Sequence, residues 1–295
     1  MLRSIKAITI AVRNLDASIL CYRRFLHYDL VATGTVSPAQ ASRWDAEKET
    51  GQPFALLCPA SMEPVYIRLV ESDAAINYQA LRHFGWNAAE LHVTDVHALA
   101  ESLGGSPFRI IGGPRDLLDD GTVVALQVLG PSGECLYLTS ISSEAMQQTY
   151  GRARSTVGRV FIAVLGVSDL QVSRSFYQSA AVSLTEPRPF NIRVLAAAHG
   201  LDLMETKFDI ASAVFEEPFR IELDHYPALA KPLQRRPGNL AGGICMVTMT
   251  WSGDSTVGWI NALDWHPGED DAICQQGRVS TIHGPDGELI ELLSA

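Results

Sequence analysis

The sequence predicts an α+β fold of four strand–helix–strand–strand–strand modules, arranged as two tandem domains. Two repeated segments carry this prediction. Residues 130–138 read Gly-Pro-Ser-Gly-Glu-Cys-Leu-Tyr-Leu, and residues 284–292 read Gly-Pro-Asp-Gly-Glu-Leu-Ile-Glu-Leu. Residues 15–22 and 170–177 also match in leucine, serine and tyrosine. Both repeats have nearly the same separation, which is the length of a domain, so a tandem duplication explains them.

The elements of the first module follow from local patterns. Residues 7–12 alternate and are β-branched, which is typical of a strand. Asn14 is placed to cap a helix whose apolar residues begin at Leu15, and residues 29–36 favour a second strand. Ser37 and Pro38 predict the start of a short helix through Lys48. A hairpin of residues 54–58 and 65–70 completes the module.

The same order recurs three times. For the second module we expect a helix that begins near Thr94 and strands at residues 86–93, 108–111, 122–129 and 134–140. The third module opens with a strand at 159–167, a helix at 169–181 and a hairpin that turns at His199 and Gly200. Residues 208–239 contain four prolines, so we expect an irregular stretch that is able to cover a channel. Strands of the fourth module are expected at 243–250, 278–283 and 288–293.

This order predicts two consecutive domains. The first covers residues 1–141, with modules at 1–75 and 84–141, and the second covers residues 158–295. Residues 142–157 are polar and lack periodicity, which indicates a linker. Two modules side by side form curved mixed sheets around a channel, where small ligands bind.

Composition limits the partners. A net charge of −10 argues against nucleic acid, although an arginine inside a cleft can still bind an anionic small molecule. Neither a signal-peptide pattern nor a membrane-length apolar run is present. The five scattered cysteines fit a reducing compartment. We therefore expect a cytoplasmic protein with a small-molecule substrate and no nucleic acid or membrane partner. Whether the domains pair within one chain or across a homodimer stays open.

Residues 11–22, 167–177 and 284–292 resemble the vicinal oxygen chelate superfamily, which includes glyoxalases, bleomycin-resistance proteins and extradiol dioxygenases. The resemblance covers nearly the whole chain and implies paired glyoxalase-like modules. It also implies a divalent metal in the channel, held by histidine in the first strands and glutamate in the last strands.

The resemblance assigns ligand positions that this sequence fills differently. None of the first-strand positions holds a histidine; they fall near Ala7, Ala88, Ile162 and Gly243. The last-strand positions fall near Arg68, Tyr137, Met204 and Glu291. Only Glu291 keeps the family's ligand type, so the sequence disfavours a bound Fe, Mn or Zn ion and predicts no cofactor.

Other polar residues suggest different chemistry in the first domain. Glu90 and His92 lie on one face of the predicted strand at 86–93. We expect them to share a cavity with Arg68 and Tyr137. Arg68 would bind a carboxylate or enolate, Tyr137 would donate to an oxyanion, and Glu90 or His92 would transfer a proton. The alternative is a structural role for each, in pairing, packing or capping.

Three functions remain open from the sequence. The first is a lyase or isomerase that acts by proton transfer on a carbonyl, phenolic or carboxylate compound. The second is a metal-dependent extradiol ring-cleaving dioxygenase with displaced ligands. The third is a binding protein of the bleomycin-resistance type without catalysis.

Overall fold

The first two modules have the predicted element order. The computed structural model of the protein describes residues 1–180, 182–226, 228–233, 235–252, 258–269, 272–275 and 277–294. The first module contains β1 (Leu2–Val12), α1 (Leu15–Leu26), β2 (Tyr28–Thr35), α2 (Pro38–Arg43), β3 (Pro53–Pro59) and β4 (Tyr66–Glu71). The second contains β5 (Gly85–Val93), α3 (Val96–Ser102), β6 (Arg109–Asp116), β7 (Val123–Leu129) and β8 (Cys135–Ile141).

The caps explain where these helices begin. Asn14 accepts a hydrogen bond from the Ala17 amide at the start of α1. Ser37 and Gln40 form a reciprocal capping box at the start of α2, with Pro38 in its first turn. The expected N-caps at Asn14 and Ser37 are therefore confirmed. The α2 helix ends at Arg43, short of the expected Lys48, and a single 3₁₀ turn at Glu47–Glu49 follows.

The predicted linker contains a helix, α4 (Glu144–Tyr150). The third module then contains β9 (Val157–Val167), α5 (Leu170–Gln178), β10 (Ser183–Leu184), β11 (Arg188–Phe190), α6 (Arg193–Ala198), β12 (Phe208–Val214) and β13 (Arg220–His225). The hairpin expected to turn at residues 199–200 is wrong, because α6 ends there. The expectation that residues 208–239 are irregular is also wrong, since β12 and β13 lie within them.

The fourth module contains β14 (Gly243–Trp251), β15 (His266–Pro267), β16 (Arg278–His283) and β17 (Leu289–Ser294). A 3₁₀ helix at Gly258–Ala262 lies between β14 and β15. Across the described ranges, no helix is long and apolar enough to cross a membrane.

The modules form two mixed sheets. The outer sheet joins the first and fourth modules in the order β15-β16-β17-β14-β1-β4-β3-β2. The inner sheet joins the second and third in the order β10-β12-β13-β9-β5-β8-β7-β6, and β11 pairs with β12 beside it. In each sheet the first strands of the two modules meet in an antiparallel pair, β1 with β14 and β5 with β9. The predicted α+β class with curved mixed sheets is confirmed.

The expected pairing of neighbouring modules is wrong: first pairs with fourth, and second with third. All four opening strands are largely buried and mostly apolar, so their pattern does not select among partners. Residues 142–157 consequently connect two strands of the same sheet, β8 and β9. The predicted domain boundaries at residues 141 and 158 therefore stay a prediction.

One apolar core joins the helix-bearing faces of both sheets. It includes Ile8 and Val247 from the outer sheet and Leu91 and Leu165 from the inner sheet. Hydrogen bonds also cross between the sheets, for example from the Trp86 indole to the Leu289 carbonyl at 2.8 Å. The opposite, concave faces of the two sheets therefore point away from each other.

Each copy of the repeated helix segment contacts one copy of the repeated turn segment. The Tyr22 hydroxyl of α1 donates to Glu134 in the β7–β8 turn at 2.9 Å, and Tyr177 of α5 donates to Glu288 in the β16–β17 turn at 3.0 Å. Each glutamate also accepts the backbone N–H two residues before it. Burial raises the pKa of both glutamates to about 7. The two repeats thus preserve one contact between a helix and the turn of the next module.

Candidate functional site

Four polar side chains meet at the centre of the outer sheet's concave face. Thr9 of β1 lies opposite Arg68 of β4, and Thr248 of β14 lies opposite Glu291 of β17. Arg68 donates to Glu291 at 2.8 Å and to Thr9 at 2.9 Å, and Thr248 donates to Glu291 at 2.7 Å. Trp44 donates from its indole to Glu291 and lies against the Arg68 guanidinium. All five residues are buried, so this network is closed.

The closed network does not fit a metal ion. Although burial alone would raise the pKa of Glu291, the Arg68 charge and three hydrogen bonds lower it overall. The carboxylate is therefore ionised and already has a cationic partner. The guanidinium stands among the side chains that would have to converge on a metal, and a cation cannot share that space with it. Glu291, the position that kept the family's ligand type, binds Arg68 instead.

Apolar side chains also pack on this sheet around the network. One apolar cluster includes Val36, Ala41 and Trp44 from the segment around α2, packed on Val70 of β4 and Met246 of β14. A second packs Ile273 and Cys274 on the same sheet.

The inner sheet has a cavity where the outer sheet has this network. Its volume is about 700 Å³. Glu90 of β5 lies opposite Tyr137 of β8, and Glu222 of β13 lies opposite Val164 of β9. Glu90, Tyr137 and Glu222 line the cavity. Most other lining residues are apolar, including Ile111, Phe161, Phe190, Val194 and Leu203.

Two carboxyl groups that line this cavity, Glu90 and Glu222, interact with each other and with a third behind them. Burial and the Glu222 charge raise the pKa of Glu90 to about 8, although Thr139 donates a hydrogen bond to it. Burial also raises the pKa of Glu222. A hydrogen bond from Asp224 and the charges of Arg188 and Arg220 act in the opposite direction and lower it.

Asp224 completes this group behind Glu222. Its pKa is raised well above the usual range by burial and by Glu222. Neither of its oxygens receives a hydrogen bond from a donor group among the described residues. A neutral Asp224 that donates its own proton to Glu222 satisfies both groups.

Two tyrosine hydroxyls lie close to the carboxyl groups. The Tyr137 and Tyr226 hydroxyls are buried, and neither has a hydrogen-bond partner in the part of the chain that the structure describes. Burial raises the pKa of both phenols well above the usual range, so both keep their protons. Buried polar groups rarely stay unpaired. Tyr137, which lines the cavity, therefore has a proton to donate to a bound molecule.

The four residues predicted to share a cavity do not all do so. Glu90 and Tyr137 line the inner cavity together, but Arg68 lies in the other sheet, so the expectation of one common cavity is wrong. His92 lies on the Glu90 face of β5 but is 1% exposed. Its ring stacks on Phe161 at a centroid distance of 3.8 Å, and its Nε2 bonds the Tyr150 carbonyl. The catalytic and binding roles suggested for these residues stay predictions.

Sequence reasoning missed Glu222 and Asp224. The last-strand position of the third module was placed near Met204, but Met204 lies before β12 and is 62% exposed. The signal that could have found β13 is the alternation in residues 219–224, Phe-Arg-Ile-Glu-Leu-Asp. Thr9 and Thr248 were missed because the first-strand positions were placed two to five residues too early.

The inner cavity also fits a divalent ion poorly. Its central positions offer two carboxyl groups, a protonated phenol and Val164, with no imidazole. A pKa of about 8 keeps Glu90 largely neutral at neutral pH, whereas a metal ligand must be deprotonated. Among the described residues, no three histidine, cysteine, aspartate or glutamate side chains are arranged to hold a metal. That the protein needs no metal stays a prediction.

Comparison with known proteins identifies the fold. No family model matches the chain, and no curated protein matches its sequence. Among solved structures, glyoxalase I from Zea mays is similar, with a TM-score of 0.64 and 17% identity over 99% of this chain and 92% of that chain. A single-substitution variant of that enzyme gives a TM-score of 0.65 and 16% identity.

A further match is a structure from Bacillus subtilis subsp. subtilis str. 168 whose dioxygenase activity is itself only proposed. It has a TM-score of 0.61 and 12% identity over 99% of this chain and 85% of that chain. Identities this low establish the fold and leave the reaction open. The chain has the fold of glyoxalase I, the kind of fold that the resemblance to the vicinal oxygen chelate superfamily implied.

Proposed function

We propose that the protein is an enzyme that moves protons on a small carbonyl compound in the inner cavity, as an isomerase or lyase. The observation that carries this proposal is the pairing of Glu90 with Glu222 in a largely apolar cavity. Burial raises the pKa of both, but only Glu222 has cationic neighbours that offset this effect, and two carboxyl groups in unequal surroundings can act as an acid and a base.

The surroundings of each glutamate support its proposed role. Burial raises the pKa of Glu222, but a hydrogen bond from Asp224 and the charges of Arg188 and Arg220 favour its ionised form, so Glu222 is the carboxylate of the proposed pair. Glu90 is the acid, because it is deeply buried and the Glu222 charge opposes its ionisation. The unpaired Tyr137 hydroxyl is positioned to donate to an oxygen that becomes negative.

The reaction follows from these roles. Glu222 takes a proton from the carbon beside the substrate carbonyl. The C–H electron pair forms a carbon–carbon double bond, and the carbonyl π pair moves to oxygen, which accepts a hydrogen bond from Tyr137 and a proton from Glu90. In an isomerase reaction Glu222 returns its proton to a different carbon, and the enol proton goes back to Glu90 as a carbonyl re-forms. In a lyase reaction a group departs from the next carbon as the carbonyl re-forms; the enol returns its proton to Glu90, and Glu90 passes that proton to the leaving group.

Deuterium exchange tests this proposal without knowledge of the substrate. The protein is incubated in deuterium oxide with phenylpyruvate or with the neutral ketone phenylacetone, and proton NMR follows loss of the C–H signal beside the carbonyl. We expect the protein to accelerate exchange. Glu90→Gln and Glu222→Gln should each lower the rate by about 10²-fold or more, the usual contribution of a positioned acid or base. Glu101→Gln, on the exposed surface of α3, is the matched control.

Two results would contradict the proposal. One is exchange of both probes at the rate of buffer alone. The other is exchange that is unchanged in both variants. A probe that raises the melting temperature but is recovered without deuterium would instead support a binding protein of the bleomycin-resistance type. The dioxygenase alternative requires stoichiometric iron or manganese in protein purified without chelators, together with oxygen uptake on a catechol.

A further inference from the structure

We propose that Arg115 and Arg193 form an anion-binding subsite at the mouth of the inner cavity, and that the substrate carries a carboxylate or phosphate on an apolar body. This inference deepens the proposed function, since it uses the same cavity. Arg115 lies on β6 and Arg193 begins α6, so the subsite joins the second and third modules. Both residues line the cavity.

One asparagine holds the two guanidinium groups side by side. The Asn191 Oδ1 atom accepts hydrogen bonds from Arg115 Nη1 at 3.2 Å and from Arg193 Nε at 3.3 Å. The Asn191 amide group donates to the carbonyls of Leu203 at 2.8 Å and Thr206 at 2.9 Å. These donor contacts determine which way the amide points, so its oxygen faces the arginines. The arrangement is a built site rather than a chance approach of two surface residues.

The two arginines have no anionic partner of their own. In the described ranges, neither lies within ion-pair distance of a carboxylate. Burial and the Arg193 charge lower the pKa of Arg115, and Asp119 offsets only part of this effect. Two adjacent cations without a counter-ion are unfavourable in the free protein. An anion bound between them removes that cost and gains charge-assisted hydrogen bonds.

The charges along the cavity also orient the ligand. In the proposed mechanism Glu222 is the carboxylate, so an anionic group is better accommodated at the two arginines than beside Glu222. Most of the remaining lining is apolar and includes Phe190, Ile192 and Leu203. A ligand with an anionic head and an apolar body would therefore enter body first. Its reactive C–H group would face Glu222 and Glu90.

Calorimetry with unreactive probes tests the subsite separately from catalysis. The probes are hydrocinnamate, phenethyl phosphate and the neutral amide hydrocinnamamide. We expect wild-type protein to bind at least one anion about tenfold or more tightly than the amide. Arg115→Ala and Arg193→Gln should each remove most of that difference and leave amide binding within about twofold. Arg23→Ala, an exposed arginine on α1, is the control. The better-bound anion distinguishes a carboxylate substrate from a phosphate substrate.

Equal affinity for the amide and both anions in wild-type protein would overturn the inference. So would anion binding that is unchanged in both arginine variants. The proposed function fails in a different way: phenylpyruvate and phenylacetone would not exchange, while arginine-dependent anion binding would persist. If only the subsite is wrong, exchange of phenylpyruvate continues at the wild-type rate in both arginine variants.

Discussion

The Arg68 guanidinium lies 2.8 Å from the Glu291 carboxylate at the centre of the outer sheet, with both side chains at most 2% exposed. The inner sheet has Tyr137 and Glu222 at the corresponding places of its last strands. The same fold therefore holds a closed ion pair at one centre and a group of carboxyl groups beside an open cavity at the other. This contrast supports our proposal that the active site lies in the inner sheet.

The ion pair predicts that Arg68 contributes to stability and not to activity. Arg68→Met leaves a buried carboxylate without its cation, which costs about 3–5 kcal/mol of the free energy of unfolding. Arg68→Met combined with Glu291→Gln should recover much of that loss, because the uncompensated charge is gone. Urea denaturation measures both variants. Loss of deuterium exchange in Arg68→Met at unchanged stability would instead support the substrate-binding role that the sequence suggested.

The Glu90 pKa predicts how exchange depends on pH. The proposed acid must keep its proton, so the rate should fall as pH rises through about 8, where Glu90 ionises. The rate should also fall at low pH, where Glu222 gains a proton and can no longer act as the base. Glu90→Gln should remove the fall near pH 8 and keep the acid limb. A decline above pH 8 that persists in Glu90→Gln would assign that limb to another group.

The buried Tyr22–Glu134 and Tyr177–Glu288 contacts predict that stability decreases with rising pH. Both glutamates have a pKa near 7 in the folded protein against 4.5 as the ordinary value, so the folded state binds more protons between these values. The free energy of unfolding is therefore highest below about pH 4.5, as far as these groups contribute, and falls towards pH 7. Glu134→Gln should reduce the difference in urea midpoint between about pH 5 and pH 7.5. The exposed variant Glu101→Gln should show the wild-type difference.

Much of the fold could be predicted because its signals are local. These signals depend only on nearby residues: they are the Asn14 cap, the helical spacing from Leu15 and the glycine-containing turn that occurs in both repeats. Gly133 and Gly287 adopt positive φ values of 92° and 80° in that turn, which favours glycine at both. These features identified four modules and their duplication.

The pairing of modules could not be predicted because it depends on contacts far apart in sequence. Any buried opening strand can form an antiparallel pair with any other, so alternation gives no choice between β5 and β14 as the partner of β1. Prolines at 218 and 227 flank β13, and they made the strand that carries Glu222 look irregular. Glu90 was found from its face on β5, but its acidic partner lay in the strand that was missed.

His92 provides the final prediction, because its side chain sits behind the cavity wall. Burial and the Arg159 charge lower its pKa to about 3, so the ring is neutral at physiological pH and its Nε2 donates to the Tyr150 carbonyl. His92→Gln keeps a donor for that carbonyl and loses the stacking on Phe161, which costs about 0.5–1.5 kcal/mol of stability. We expect exchange within a few-fold of wild type and an unchanged pH profile. A loss of about 10²-fold with normal stability would show that His92 takes part in proton transfer.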